Sequence, residues 1–241
     1  MGPTISIMKR ELGAYFNTPI GYVFTSFFLL LTCFFYVKDL FSQGVAEMRG
    51  YFENLPLFFL IFIPAISMRL WSEERKLGTL ELLMTMPVKS WQAVLGKYLA
   101  GFAFIVLMLA LTFPLPVALN VLGNPDNGQL IGGYLGALVL GMVYLSVGAF
   151  ASSLSADQIV AFVLGITICF VFFLLGHGDV VGFVKNELGL PAAASVIERF
   201  GVIYHFQSIS RGVVDTRDVI YAFSVTGLFL FLNVLVIERR R

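Results

Sequence analysis

Asp179 closes the run Gly176-His177-Gly178-Asp179, a Gly-x-Gly-Asp pattern able to supply one carboxylate of an acid/base dyad inside a membrane. Such hydrolysis needs a second carboxylate close enough to share a proton. The acidic residue at the other end of the same apolar run is Asp157. About 18 residues of helix, at about 1.5 Å each, put it roughly 27 Å away. No dyad is expected, and the run reads more simply as the exit turn of a helix. Gly123-Asn-Pro-Asp-Asn-Gly128 has the glycine spacing of a phosphate loop, but Gln129-Leu130 follows it. The lysine that would reach the phosphates and the hydroxyl that would hold magnesium are both missing, so the run is read as a turn. His177 and His205 are the only histidines, 28 positions apart. A metal site needs three or four ligands, and surface or interfacial histidines are the simpler reading.

The remaining concentration of reactive side chains is Ser72-Glu-Glu-Arg-Lys-Leu-Gly-Thr-Leu-Glu-Leu-Leu-Met-Thr-Met-Pro87. Glu73, Glu74, Arg75, Lys76 and Glu81 share it with Leu77, Leu80, Leu83 and Met84. The apolar positions recur at i, i+3, i+6 and i+7, a helical stripe rather than a strand alternation. Gly78-Thr79 interrupts it and Pro87 ends it, because proline has no N–H to give and clashes with the preceding turn. Two short helical pieces outside the hydrocarbon are expected, a charged handle for a soluble partner. An ordinary solvated loop is the plainer alternative.

Apolar runs must position these residues. The 241 residues are 58% apolar and only 13% charged, with a mean hydropathy of +0.87. Soluble domains carry about a quarter charged residues, so this is a membrane protein. A formal charge of +1 leaves no electrostatic footprint for nucleic acid. Cys33 and Cys169 fall inside apolar runs and suggest neither a disulfide framework nor a metal cluster. The charged start at Lys9 and Arg10 leads into a run too long for a cleavable signal, with no small-residue cleavage site after it.

Six runs are long enough to cross about 30 Å of hydrocarbon: Ile20–Val37, Leu55–Leu70, Ala93–Leu119, Ile131–Leu154, Gln158–Leu175 and Val219–Ile237. With the N-terminus inside, the cytoplasmic segments hold ten of the 16 Lys and Arg (Lys9, Arg10, Arg69, Arg75, Lys76, Lys89, Lys97 and Arg239 to Arg241). The other six, Lys38, Arg49, Lys185, Arg199, Arg211 and Arg217, fall outside. That bias predicts both termini and the charged hairpin on the cytoplasmic side. Before the first span, Ile5, Met8, Leu12, Tyr15 and Phe16 gather on one side of a helix opposite Arg10, which predicts an amphipathic helix lying in the interface. A short cytoplasmic tail is the alternative there. Gly132, Gly133, Gly136, Gly141, Ser146, Gly148, Ala149, Ala151 and Ser152 make the fourth span one that neighbours can approach closely. No span carries Asp, Glu, Lys or Arg away from its ends, which argues against a proton relay or an ion pump. From His177 to Arg217 the chain is partly apolar and interrupted at Gly189-Leu-Pro191, as two short helices dipping into the outer leaflet would be.

The hairpin Ser72–Pro87 with Gly96-Lys97 resembles the signature of ABC-2 type transporter permeases, nearest to the gliding-motility-associated permease subunits of bacteria. Phe16-Asn-Thr-Pro-Ile-Gly21 resembles that group's entry to the first span. Tyr204-His-Phe-Gln-Ser-Ile-Ser-Arg-Gly212, through Asp215-Thr-Arg-Asp218, resembles its approach to the sixth. The resemblance implies an all-α membrane protein forming a single ABC-2 transmembrane domain over residues 1–241. It implies a connecting helix at 1–19, a cytoplasmic coupling hairpin at 71–90 and re-entrant outer helices at 177–217. It further implies a multi-pass permease of the bacterial inner membrane, paired with a second permease subunit of the same or a different kind, above a cytoplasmic ABC ATPase dimer. ATP and magnesium would be bound by that partner, and this chain would hold no cofactor and no catalytic residue. The positions carried over as coupling residues are Glu73, Glu74, Arg75, Gly78, Thr79, Glu81, Leu82, Leu83 and Pro87. Two outcomes are compatible with it: export of an unidentified substrate, or transmission of force or signal to a periplasmic or surface apparatus without solute movement.

Overall fold

The computed structural model describes residues 2–43, 47–81, 88–123, 125–212 and 215–239. All regular structure among them is helical. In chain order the helices are α1 (Pro3–Asn17), α2 (Pro19–Gln43), α3 (Arg49–Ser67), α4 (Arg69–Lys76), α5 (Ser90–Leu111), α6 (Pro114–Leu122), α7 (Asn127–Leu154), α8 (Gln158–Leu175), α9 (Gly178–Asn186), α10 (Pro191–Phe200), α11 (Val202–Ser210) and α12 (Thr216–Glu238).

Among the described residues, six stretches are long and apolar enough to cross a membrane: Pro19–Ser42, Arg49–Lys76, Ser90–Leu122, Asn127–Leu154, Gln158–Leu175 and Thr216–Glu238. Each contains one of the six spans expected from the sequence. The second continues through a break at Met68 from α3 into α4, and the third breaks before Pro114 into α5 and α6. Pro114 can neither donate a helix bond nor fit the preceding turn. The Ala110 carbonyl it leaves without an i+4 donor accepts from the Phe113 N–H at 3.1 Å, and beside it Thr112 Oγ1 bonds the Leu109 carbonyl at 2.7 Å and lies 3.0 Å from the Tyr134 hydroxyl.

α7 is the centre of the bundle and touches α3, α4, α5, α8, α11 and α12. Its small residues set the approach. A Cβ on Gly133 or Gly148 would run into the Phe52 ring or Ser67 Oγ, and one on Gly141 would sit 3.1 Å from Ile105. Without a hydrophobic drive between helices in lipid, this closeness supplies the dispersion contacts that hold them. α2 keeps an outward row, Tyr22, Val23, Phe27, Leu30, Phe34 and Phe41, between 54% and 82% exposed.

α1 is a helix packed on the protein as much as an interfacial one. Tyr15 stacks on Phe104 with centroids 4.6 Å apart and bonds the Ile66 carbonyl at 3.4 Å. Ile7, outside the expected apolar side, is buried where Gly96 leaves room: a Cβ there would lie 2.9 Å from the Ile7 side chain and the Thr4 carbonyl. Ile5 and Phe16 remain 47% and 39% exposed and are the part of the face left for lipid.

The segment 177–217 corrects the expectation of two short helices, since it contains three. Gly189, with φ +64°, and Pro191 part α9 from α10. Gly201 then parts α10 from α11 where it packs against Gly176 too tightly for any Cβ. α9 buries no residue and α10 only Ala194, whereas α11 buries Val202, Ile203, His205, Phe206 and Ile209 and belongs to the core. Alternating spans give the bundle two ends. α1, α4, the start of α5 and the end of α7 make the hairpin end. α9 to α11 and the start of α12 lie at the far end.

Candidate coupling site

The break at Met68 begins α4 with orphaned backbone donors, as every helix start does. Ser152 on α7 meets them. Its Oγ accepts from the N–H of Trp71 at 3.0 Å and of Ser72 at 3.2 Å, and donates to the Met68 carbonyl at 2.6 Å. A residue about 80 positions away thus caps α4 and fastens it to the central helix.

From that anchor the three charged residues that open the hairpin diverge. Glu73 turns back along its own helix to Arg69, in a two-pronged contact at 2.8 and 3.0 Å. Arg75 donates to the Ser153 carbonyl at 3.0 Å, at the end of α7. Glu74 points into the bundle, where its Oε1 lies 2.9 Å from Arg10 and 3.0 Å from Lys97. Lys97 also meets Glu11 at 3.1 Å, and Arg10 meets Glu11 at 2.7 Å. Two cations and two carboxylates therefore join α1, α4 and α5, with Lys97 1% exposed and its ammonium 5.0 Å over the ring of fully buried Trp71. Burial alone would push the Glu11 carboxyl up. The Lys97 charge and the hydrogen bonds from Arg10 and Lys97 outweigh it and hold Glu11 below the ordinary carboxylate range.

Beyond the cluster the chain turns at Gly78, whose φ of +69° is left-handed backbone that glycine adopts without strain. Thr79 Oγ1 bonds the Glu74 carbonyl at 3.4 Å. Leu77 is 68% exposed and Glu81 is exposed, while Leu80 is buried at 9%. Leu82, Leu83 and Pro87 lie outside the described residues. Of the nine carried-over positions, then, Glu73, Glu74 and Arg75 are bound to this chain's own groups, and Gly78, Thr79 and Glu81 form an exposed tip.

Sequence reasoning gave no site role to Arg10, Glu11, Trp71 or Ser152. Lys97 entered as a neighbour of Gly96 and as one of the cytoplasmic basic residues. It is buried at the eighth position of α5, toward the hairpin end of its span. The available signal was a lysine flanked by apolar residues, which needs a counter-ion.

The rejected motifs keep their plain roles. Asp179 sits in the first turn of α9 with its side chain 95% exposed, 3.5 Å from His177, and Asp157 caps the opposite end of α8 through the N–H groups of Ile159 and Val160. Asp126 caps α7 by accepting from Gly128 N at 2.8 Å, inside the run that had the phosphate-loop spacing. No group of three His, Cys, Asp or Glu able to hold a metal occurs among the described residues. His205 is not the surface histidine expected, being 8% exposed and 2.6 Å from Asp218.

Six apolar spans define a multi-pass membrane protein, with a charged cluster behind an exposed turn at one end. The chain belongs to the ABC-2 family transporter proteins, whose family model matches residues 41–237. It is similar to the probable multidrug ABC transporter permease YbhR of Escherichia coli, strain K12, at 26% identity over 142 residues. The YbhR of E. coli O157:H7 matches to the same extent. The match covers 59% of this chain and 37% of each relative, so this chain spans little more than a third of their length.

Proposed function

We propose that this chain is the membrane subunit of an ABC exporter, in which a separate cytoplasmic ATPase dimer docks on the hairpin and a second permease completes the pathway. The termini and the hairpin face the cytoplasm of a bacterial inner membrane in this reading, and ATP and magnesium are held by the ATPase. The observation that carries it is the Arg10–Glu11–Glu74–Lys97 cluster directly behind the Leu77–Glu81 tip. A loose loop would absorb a push from a partner. Here the tip continues into α4, and α4 is fixed to α1 and α5 by charge and to α7 by Ser152.

Roles follow from placement. Leu77 offers apolar area to a groove, Glu81 supplies charge at its rim, and Gly78 with Thr79 sets the bend. Leu82, Leu83 and Pro87 join the tip on the strength of sequence resemblance. Glu73, Glu74 and Arg75 transmit displacement into the spans. Dispersion and apolar burial at the tip would supply affinity, and the cluster would keep α1, α4 and α5 moving as one body.

Affinity purification of the tagged chain from its native membranes, with identification of the bound proteins by mass and assay of ATP hydrolysis, tests this. An ATPase should accompany the wild type and be lost from Leu77→Glu and Gly78→Pro chains that melt like the wild type. Equal ATPase recovery and stimulation from all three would contradict the docking role. The gliding-type form of the reading, force or signal without solute movement, uses the same hairpin and is favoured by the resemblance at Phe16–Gly21 and Tyr204–Gly212. ATP-dependent movement of any solute into reconstituted vesicles would exclude that form.

A further inference from the structure

At the far end of the bundle His205 is held between two oxygens. Its Nδ1 lies 2.6 Å from Asp218 Oδ1 and its Nε2 lies 2.9 Å from the Arg199 carbonyl. A neutral imidazole has one N–H and one lone pair, while an ionised carboxylate and a carbonyl offer lone pairs only. One more proton than a neutral imidazole plus a carboxylate must therefore be present, or two lone pairs would face each other across a short contact. The proton sits on the ring, or on Asp218 donating to Nδ1, and the two sites form one coupled unit. The surroundings point the same way. Asp218 is 3% exposed and its Oδ2 has no hydrogen-bond partner, a costly state for a bare carboxylate. Tyr221 stacks on the His205 ring at 4.0 Å and donates its hydroxyl to the Phe200 carbonyl at 2.6 Å.

We propose that His205 and Asp218 together form a buried proton-binding site that fastens the short helices at the far end to the last span. One bound proton completes bonds among three elements: α10 through Arg199, α11 through His205 and α12 through Asp218. The opposite face of α11, about 160–200° round the helix, carries Ile203 and Gln207 into a cavity of about 790 Å³. The proton therefore holds one wall of that cavity in place. Among the described residues, the ionisable groups against the ring are Asp218 and Tyr221 on α12 and Tyr204 on its own helix. Glu47, Arg49, Glu53, Asp126, His177 and Arg211 line the cavity. This inference stands independently of the ATPase reading.

Nitrogen-15 spectra of the histidine rings, in purified full-length protein with His177→Gln to assign His205, read the site directly. Infrared spectra with carbon-13 aspartate add the state of Asp218. Two protonated ring nitrogens at neutral pH are expected, or one bare nitrogen together with a protonated aspartate band. One bare nitrogen without such a band would overturn the proposal. These spectra need no change at Asp218, so they decide the matter even if Asp218→Asn misfolds. The fastening is read from amide hydrogen exchange in α10 and α11. His205→Phe, whose ring can bond neither Asp218 nor the Arg199 carbonyl, should exchange faster in both helices than the wild type. Asp218→Asn, whose amide donates to a neutral Nδ1, should keep most of the wild-type protection. Equal exchange in the wild type and His205→Phe would contradict the fastening role.

Discussion

Lys97 is the residue on which the candidate coupling site turns, because an ammonium 1% exposed must keep its counter-charges. Removing one partner of a buried pair leaves an uncompensated charge and costs about 3–5 kcal/mol, more than the pair itself contributes. Glu74→Ala leaves Lys97 with Glu11 at 3.1 Å, so it should destabilise in thermal or denaturant unfolding by less than Glu74→Ala and Glu11→Ala combined. Glu74→Gln combined with Lys97→Met should cost less than the two single changes summed, by about 0.5–3 kcal/mol in a double-mutant cycle. Arg10, with a side chain 53% exposed, should matter little to stability. The pH dependence has a definite sign. Glu11 is held below its ordinary range, so it stabilises above that range and the contribution disappears as pH falls through its lowered value. Acid titration of the melting temperature should show this loss in the wild type and not in Glu11→Gln.

At the scale of elements, α4 depends on a cap from another helix. Ser152→Ala removes the side-chain acceptor of two buried N–H donors, Trp71 and Ser72, at about 1–3 kcal/mol for each group left unsatisfied, while the Met68 carbonyl keeps the Ser72 hydroxyl. The local effect should exceed the global one, with faster hydrogen exchange in α4 than in α7; equal protection would contradict the cap. Gly96→Leu should lift α1 from α5, since Ile7 fills the space. Limited proteolysis within residues 3–17 reads that release. The helices themselves were legible in the sequence for a simple reason: six apolar runs of the right length have few other solutions in lipid. The break at Gly189-Leu-Pro191 was legible as well. What could not be read was pairing. Arg10 and Glu74 are 64 positions apart, and Trp71 and Ser152 81 apart, so nothing local says which charge meets which. The hairpin's charges looked like a surface for a partner because clustered charge usually is one. Glu74 turned inward because α1 covers it, and α1 covers it because Gly96 leaves room for Ile7. His205 was misread for the same reason, its partner Asp218 lying across a helix boundary.

For the whole molecule, the two ends differ in build. One end carries a charged cluster behind an exposed leucine, and the other carries short helices around a cavity. The account holds only if the handle faces the ATP-containing compartment. Thr79→Cys in a Cys33→Ser, Cys169→Ala background, treated with a membrane-impermeant thiol reagent, decides this, with Ser195→Cys on exposed α10 as the opposite marker. In intact cells the account predicts labelling at 195 and none at 79 until the membrane is permeabilised. Labelling at position 79 in intact cells would put the handle outside and contradict the coupling account.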